Sequence, residues 1–313
     1  MPLRAGQKWW VLSLLLSGAA LADDAASLSD VLTASIIKKR GTFWAVSQNA
    51  DGSEDRFDSI GALIAARGPV GGPASLAHWA AQPATMEGVV GARWAESSPL
   101  DLSHSTDFIA RFARAQRAQR GGDGDGGGGA PRRCLHVGAG IGRETGVLLD
   151  AGGCATVDLV EPHAHMLAAA TVRLPAGALG EVWALPAEAH DFGGAPRYDL
   201  ILMQWFTNYV SDEDLARVLE RAAGALLPGG GVILKDNVSE FADGVHSAAL
   251  AHVIRSAAYL EAIVEAGAPA LKKLADEAQQ PWVGGLFPVR AMALVRAAEP
   301  GWEWEEAVLV PPQ

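Results

Sequence analysis

The stretch Leu135-His136-Val137-Gly138-Ala139-Gly140-Ile141-Gly142-Arg143 decides the fold, because a short apolar run ends in Gly-x-Gly-x-Gly and opens into a helical pattern. Glycines in a strand-to-helix turn let the backbone bend without a Cβ clash and approach a ligand closely. The spacing departs from the dinucleotide fingerprint, since Gly142 follows Gly140 by two positions where that fingerprint needs three. Alone, such a turn is equally at home in a domain that binds nothing.

Downstream, apolar runs of strand length alternate with amphipathic segments. Cys134–Val137, Thr156–Val160, Glu181–Leu185, Tyr198–Met203 and Gly231–Leu234 read as strands, with helices from Arg143, His163, Ser211 and Ser247 and a late strand within Phe287–Val295. This βαβα order predicts an α/β fold, a mostly parallel twisted sheet with helices on both faces and ligands at the strands' carboxyl ends. Glu161 closes the second strand nineteen residues after Gly142. An acid there can accept hydrogen bonds from both hydroxyls of a ribose, the plainer alternative being a solvated side chain.

Upstream, residues 121–129 are nearly all glycine, so residues 121–133 read as a flexible loop. Residues 74–120 carry two helical patterns, the second with Phe108, Ile109 and Phe112 on one face, and read as a helical lid. Residues 23–73 mix apolar patches with turn compositions and read as an unassigned, partly flexible extension. Residues 1–22, with Arg4 and Lys8 before an apolar run ending in Ala20-Leu21-Ala22, have the layout of a secretory signal or an organelle-targeting segment. No later run is long and apolar enough for a membrane helix, so the mature chain is expected not to insert stably in a membrane.

With 49% hydrophobic residues the chain can bury a sizeable core, and 25 basic against 36 acidic side chains leave a net charge of −11. Nucleic-acid binding, which needs clustered Lys and Arg, has little support, and a cationic partner fits better. The two cysteines, Cys134 and Cys154, lack the spacing of a metal site, and neither a metal nor a disulfide framework is expected.

Three further stretches converge on one sheet edge: Met203-Gln204-Trp205, Leu227-Pro228-Gly229-Gly230-Gly231 and Leu234-Lys235-Asp236-Asn237. Together with the glycine-rich turn they resemble the Rossmann-like class I S-adenosylmethionine-dependent methyltransferases, and within these the α-N-terminal protein methyltransferases. The resemblance covers about Ala77 to Val295, including Trp79 and Met86-Glu87-Gly88-Val89-Val90-Gly91. It implies S-adenosyl-L-methionine as cofactor and, as partner, a protein with a free α-amine in an X-Pro-Lys or X-Pro-Arg N-terminus. By the same resemblance Gly138, Gly140 and Arg143 hold the methionine end, with Arg143 on its carboxylate. Glu161 takes the ribose, Ala189 and His190 lie beside the adenine, and Gln204 contacts the cofactor. Trp79 and Trp205 flank the substrate's first residues, Asn237 contacts the peptide, and Asp243 keeps an acidic contact to its Lys or Arg. Core packing is the plain alternative for either tryptophan.

The sequence also departs from the family pattern. His136 replaces the first-strand acid, Tyr209 stands at the catalytic-site histidine, and Val245-His246-Ser247-Ala248 replaces Val-Asp-Ser-Ser. A neutral α-amine must attack the sulfonium methyl in line, and its reference pKa of about 7.7–8.0 leaves one positioned base sufficient. His246 is expected to be that base, with Tyr209 and Asn237 orienting the peptide. A small-molecule methyltransferase and a catalytically silent cofactor-binding module are the rival readings. As to compartment, the leader points to the secretory route or an organelle, whereas the family resemblance points to cytoplasm and nucleus.

Overall fold

In this computed structural model the described residues are 26–49, 51–119, 132–247, 250, 252–279, 287–296, 304 and 309. The leader at residues 1–22 and the glycine run at 121–129 lie outside them. After the glycine-rich turn the sheet forms as the apolar runs require. The strands β3 (Arg133–Val137), β4 (Thr156–Val160), β5 (Leu179–Trp183), β6 (Tyr198–Gln204), β7 (Leu226–Asn237), β10 (Leu271–Ala278) and β11 (Val289–Arg296) pair in the order β10-β11-β7-β6-β3-β4-β5. The five from β7 to β5 are parallel, and β11 and β10 add antiparallel. Strand order reverses between β3 and β6, which is where an open α/β sheet leaves a crevice for a ligand.

Side-chain alternation along the strands supplies two cores, one on each face. Leu135, Val137, Ile201, Met203, Val232 and Leu234 face one way, onto α8 (Asp212–Ala225) and α9 (Ala257–Gly267). Cys134, Leu200, Leu202 and Ile233 face the other way, onto α5 (Ser98–Gln119), α6 (Thr145–Asp150) and α7 (Ala164–Thr171). The helix expected as a lid, α5, is therefore a layer of the main domain, with Phe108, Ile109 and Phe112 fully buried against the sheet.

The extension is folded from Leu28 to Arg67. A capping box, Ser27 with Asp30, opens α1 (Leu28–Arg40), and Gly41 closes it at φ +81°. Leu32 and Ile36 of α1, Phe43, and Ile60 and Leu63 of α2 (Ile60–Arg67) join the same core as α8 and α9. Between them β1 (Ala45–Gln48) and β2 (Glu54–Phe57) build a second sheet, β2-β1-β8-β9, with β8 (Gly244–Ser247) and β9 (His252–Arg255). Here the expectation of a helix starting at Ser247 is corrected: the chain makes this hairpin first, and the helix begins at Ala257, capped by Ser256.

A second correction concerns the cysteines. Cys134 at the start of β3 and Cys154 before β4 form a disulfide, with Cα atoms 5.9 Å apart. Adjacent parallel strands brought the two together, which spacing along the chain did not reveal. Among the described residues no helix is long and apolar enough to cross a membrane.

Candidate active site

A cleft of about 620 Å³ lies at the carboxyl ends of β3, β4, β6 and β7, covered by α3 (Gly72–Ala80) and α4 (Met86–Val90) and walled by the small sheet. Its floor is the glycine-rich turn. Gly142, at φ +73°, approaches α7 so closely that a Cβ would come within 2.9 Å of Ala170. Gly140, at φ +52°, faces the cleft with no heavy atom within 4 Å of where its Cβ would stand, so any side chain would fill this cradle.

Glu161, at the end of β4, accepts a hydrogen bond from the Gly140 N–H at 3.0 Å. Its other oxygen meets the His163 backbone N–H at 2.9 Å and ring Nδ1 at 2.7 Å, while His163 Nε2 lies 2.9 Å from the Leu76 carbonyl on α3. Both partners of the ring only accept, which favours the doubly protonated form of the imidazole. The Glu161 carboxylate raises the His163 pKa accordingly.

Beneath the turn, Asp101 of α5 gathers the polar groups at one end of the cleft. Its carboxylate accepts from Arg143 at 2.5 Å, Gln204 Nε2 at 2.9 Å and Trp205 Nε1 at 3.2 Å, and stands 2.7 Å from Lys235 Nζ. Burial pushes this carboxyl up, but Lys235 and Arg143 outweigh it and hold it below its ordinary range. Arg143 also donates to Ser98 Oγ at 3.0 Å and pairs with Glu144.

At the other end, Trp205 sits at φ +57°, a backbone region costly for a bulky residue and frequent at functional sites. The 3-10 turn that follows, Thr207–Tyr209, presents the Tyr209 ring edge-on to Trp79 at 5.1 Å and to His252 at 5.4 Å. Buried groups fix this turn. Asp236 accepts from Thr207 Oγ1 at 2.9 Å and Asn208 Nδ2 at 2.8 Å, and burial pushes its carboxyl up to about 6 against those bonds. Arg255 donates to the Thr207 and Val210 carbonyls at 2.5 and 2.8 Å and pairs with Asp212. His252 is neutral near pH 7, because burial, with His246, His78 and Arg255 adding to it, pushes its pKa down to about 4. Its buried Nδ1 has no hydrogen-bond partner among the described residues.

Residues 73–295 match the AdoMet-dependent proline di-methyltransferases. The chain belongs to this family. It is 29% identical over 222 residues to the N-terminal Xaa-Pro-Lys N-methyltransferase 1 of Bos taurus, covering 69% of this chain and 92% of the relative. It is 30% identical over 222 residues to the protein of that name from Ailuropoda melanoleuca, with the same coverage. A solved structure of a SAM-dependent methyltransferase from Leishmania major aligns with a TM-score of 0.64 at 25% identity, over 80% of this chain and 96% of that one. The chain is thus a Rossmann-like, S-adenosylmethionine-dependent methyltransferase, and the cradle at Gly140 with Glu161 and Arg143 around it suits that cofactor.

Of the residues expected in the methyltransferase site, the structure brings Gly138, Gly140, Arg143, Glu161, Gln204, Trp79, Trp205, Tyr209 and Asn237 to this cleft. Four others it does not. His246 is corrected because strand alternation turns Val245 and Ser247 of β8 to the cleft and His246 to the opposite face, where its Nδ1 lies 3.1 Å from Ser47 Oγ. Asp243 is buried away from the cleft, accepting from Arg40 at 2.7 Å and the Trp44 N–H at 3.1 Å. Ala187 and Glu188 reach the cleft where Ala189 and His190 were expected. His190 packs between Trp183 and Phe192, its Nδ1 accepting from the Phe192 N–H at 3.2 Å. His136, in place of the family's acid, is buried at 2.9 Å from Thr145 Oγ1, and burial, with Arg143 adding to it, lowers its pKa to about 3.

Three residues of the site escaped sequence reasoning: Asp101, His252 and Arg255. Asp101 had a signal, since it shares one helical stripe with Ser105, Phe108, Ile109 and Phe112 and an acid on an apolar face needs partners. His252 and Arg255 lie within the segment read as a helix from Ser247, and the hairpin that forms instead sets His252 on the cleft face of β9 and Arg255 on the opposite face.

Proposed function

We propose that this enzyme transfers the methyl group of S-adenosylmethionine to the free α-amino group of a protein N-terminus, with the Xaa-Pro-Lys type named for its relatives as the reference substrate. One observation carries the reading. Trp79, Tyr209 and His252 form a neutral aromatic wall in the same cleft as the glycine cradle, shaped for a slender chain end beside the methyl donor.

In this reading Arg143 would take the cofactor's carboxylate with the N–H groups that Ser98, Asp101 and Glu144 leave over. Glu161 has lone pairs left for the ribose hydroxyls beyond Gly140 and His163. Bound here, the cofactor supplies an electrophilic methyl group and a positive sulfonium. A peptide ammonium approaching that charge would give up its proton to bulk water more readily than when free in solution, so that the amine enters the cleft neutral. The neutral His252 ring, which lines the cleft, would offer an acceptor nitrogen to the resulting amine and so turn its lone pair toward the methyl. Tyr209 and Trp79 exclude water from the attack path. Asn237, held by the Phe287 carbonyl at 2.8 Å, contacts the peptide.

Mass spectrometry of a Ser-Pro-Lys peptide incubated with the enzyme and S-adenosylmethionine, beside the same peptide with a blocked amine, tests this. Methyl additions confined to the free-amine peptide support the reading. Cofactor binding without methylation of either peptide would turn it toward a small-molecule acceptor or a silent module.

A further inference from the structure

Among the described residues four carboxylates line the cleft, Glu87, Glu144, Glu161 and Glu188. Glu87 is exposed on α4, Glu188 lies half-buried in the turn after β5, and the oxygens of Glu161 are engaged by Gly140 and His163. Glu144 differs from all three. It is 6% exposed, immediately precedes α6, and pairs with Arg143 through Oε1, which leaves Oε2 for a second donor. Asp101, the other carboxylate on Arg143, is no rival for such a donor. It does not line the cleft, and Arg143, Gln204, Trp205 and Lys235 already occupy its lone pairs.

The charges around the Arg143 guanidinium balance, with Arg143 and Lys235 set against Asp101 and Glu144. The methionine end of the cofactor is a zwitterion, its ammonium and carboxylate carried on one carbon. Were only the carboxylate recognised, three carboxylates would share two buried cations and the ammonium would leave water without a partner, and both are costly. Burial, with Asp101 adding to it, already pushes the Glu144 carboxyl above its ordinary range against the pull of Arg143, so a further cation beside it stabilises its charged form. We propose that Glu144 receives the α-ammonium of the cofactor on Oε2 while Arg143 receives the α-carboxylate, so that two consecutive residues read the zwitterion as a unit. The proposal rests on the reading in which Arg143 takes the carboxylate, and adds the group that selects a cofactor with a free α-amine.

Calorimetry with three probes tests it: S-adenosylhomocysteine, the same molecule lacking its α-amino group, and 5′-methylthioadenosine, which lacks the whole amino-acid end. The unaltered enzyme is expected to bind S-adenosylhomocysteine about ten- to a hundredfold more tightly than the deaminated probe. In Glu144→Gln, which keeps the side chain's size without its charge, that preference should fall about tenfold, through weaker binding of S-adenosylhomocysteine. Equal affinities for these two probes in the unaltered enzyme overturn the proposal, as does a preference that Glu144→Gln leaves intact. Tighter binding of both probes by Glu144→Gln also overturns it, because Glu144 would then only hold Arg143 back from the carboxylate. If 5′-methylthioadenosine binds as tightly as S-adenosylhomocysteine, the role of Arg143 fails and this proposal with it. No peptide enters the measurement, so the identity of the methyl acceptor does not bear on the result.

Discussion

Asp101 and Arg143, forty-two residues apart, are joined by a 2.5 Å charged hydrogen bond beneath the glycine-rich turn. Through the same carboxylate, α5 also holds Lys235, Gln204 and Trp205, so one helix aligns the ends of β3, β6 and β7. Asp101→Ala leaves Arg143 and Lys235 as buried cations, and a loss of about 3–5 kcal/mol is expected in urea unfolding. Cofactor affinity, measured by calorimetry, should fall with it.

Arg255 positions the Tyr209 turn without lining the cleft. Arg255→Met removes its bonds to the Thr207 and Val210 carbonyls and leaves Asp212 buried without its cation. Because the turn lies at the acceptor end, KM for the peptide should rise while the dissociation constant of S-adenosylmethionine is unchanged. A weakened cofactor with unaltered peptide KM would contradict this role.

His252 and His246 separate by turnover. His252→Asn should lower kcat by about 10²-fold, and His246→Ala, altered on the far face of β8, should leave it unchanged. With a pKa pushed down to about 4, His252 stays neutral across the neutral range. The pH profile of kcat/KM is therefore expected to rise through about 8 with the substrate amine and to show no inflection near 6.5. An inflection there that vanished in His252→Asn would exclude the neutral-acceptor role.

The ion pair of His163 with Glu161 predicts a pH dependence of stability. The folded-state pKa of His163 is raised, so its contribution is complete below about 6.5 and is lost as pH rises through the higher folded value. The denaturation midpoints of the unaltered enzyme and of His163→Leu should therefore converge as pH increases from about 6 to about 9. Divergence over that interval would reverse the assigned sign.

The Cys134–Cys154 disulfide closes a loop between positions twenty residues apart, for which chain entropy gives about 3 kcal/mol. Cys154→Ser should lose stability of that order. The bond lies behind the turn rather than in the cleft, so cofactor affinity should not change.

The parallel sheet and the glycine-floored end of the cleft were legible in the sequence because both are local. A strand, a glycine turn and an acid at the next strand end are read from neighbouring residues, as with Gly140 and Glu161. The acceptor end was not, for the opposite reason. The segment from Ser247 reads as a helix start in composition, yet β1 from the extension pairs with Gly244–Ser247 and fixes a period of two, which turns Val245 to the cleft and His246 to the buried opposite face. A resemblance can assign a position to a role but cannot say which face of a strand that position occupies. Asp243 failed likewise, since its partner Arg40 belongs to a segment outside the family match.

The parallel pairing of β1 with β8 also governs the order in which the chain can be assembled. Ser47 and His246 meet across 199 residues, so β1 leaves the ribosome long before its neighbour exists. The acceptor wall is consequently among the last parts to form, after slow closure of a very long loop. A chain shortened to where the family match begins would keep the glycine turn yet present β8 as a bare edge, open to pairing with another molecule. The segment from Leu28 to Arg67 thus covers an edge of the small sheet and completes one wall of the cleft.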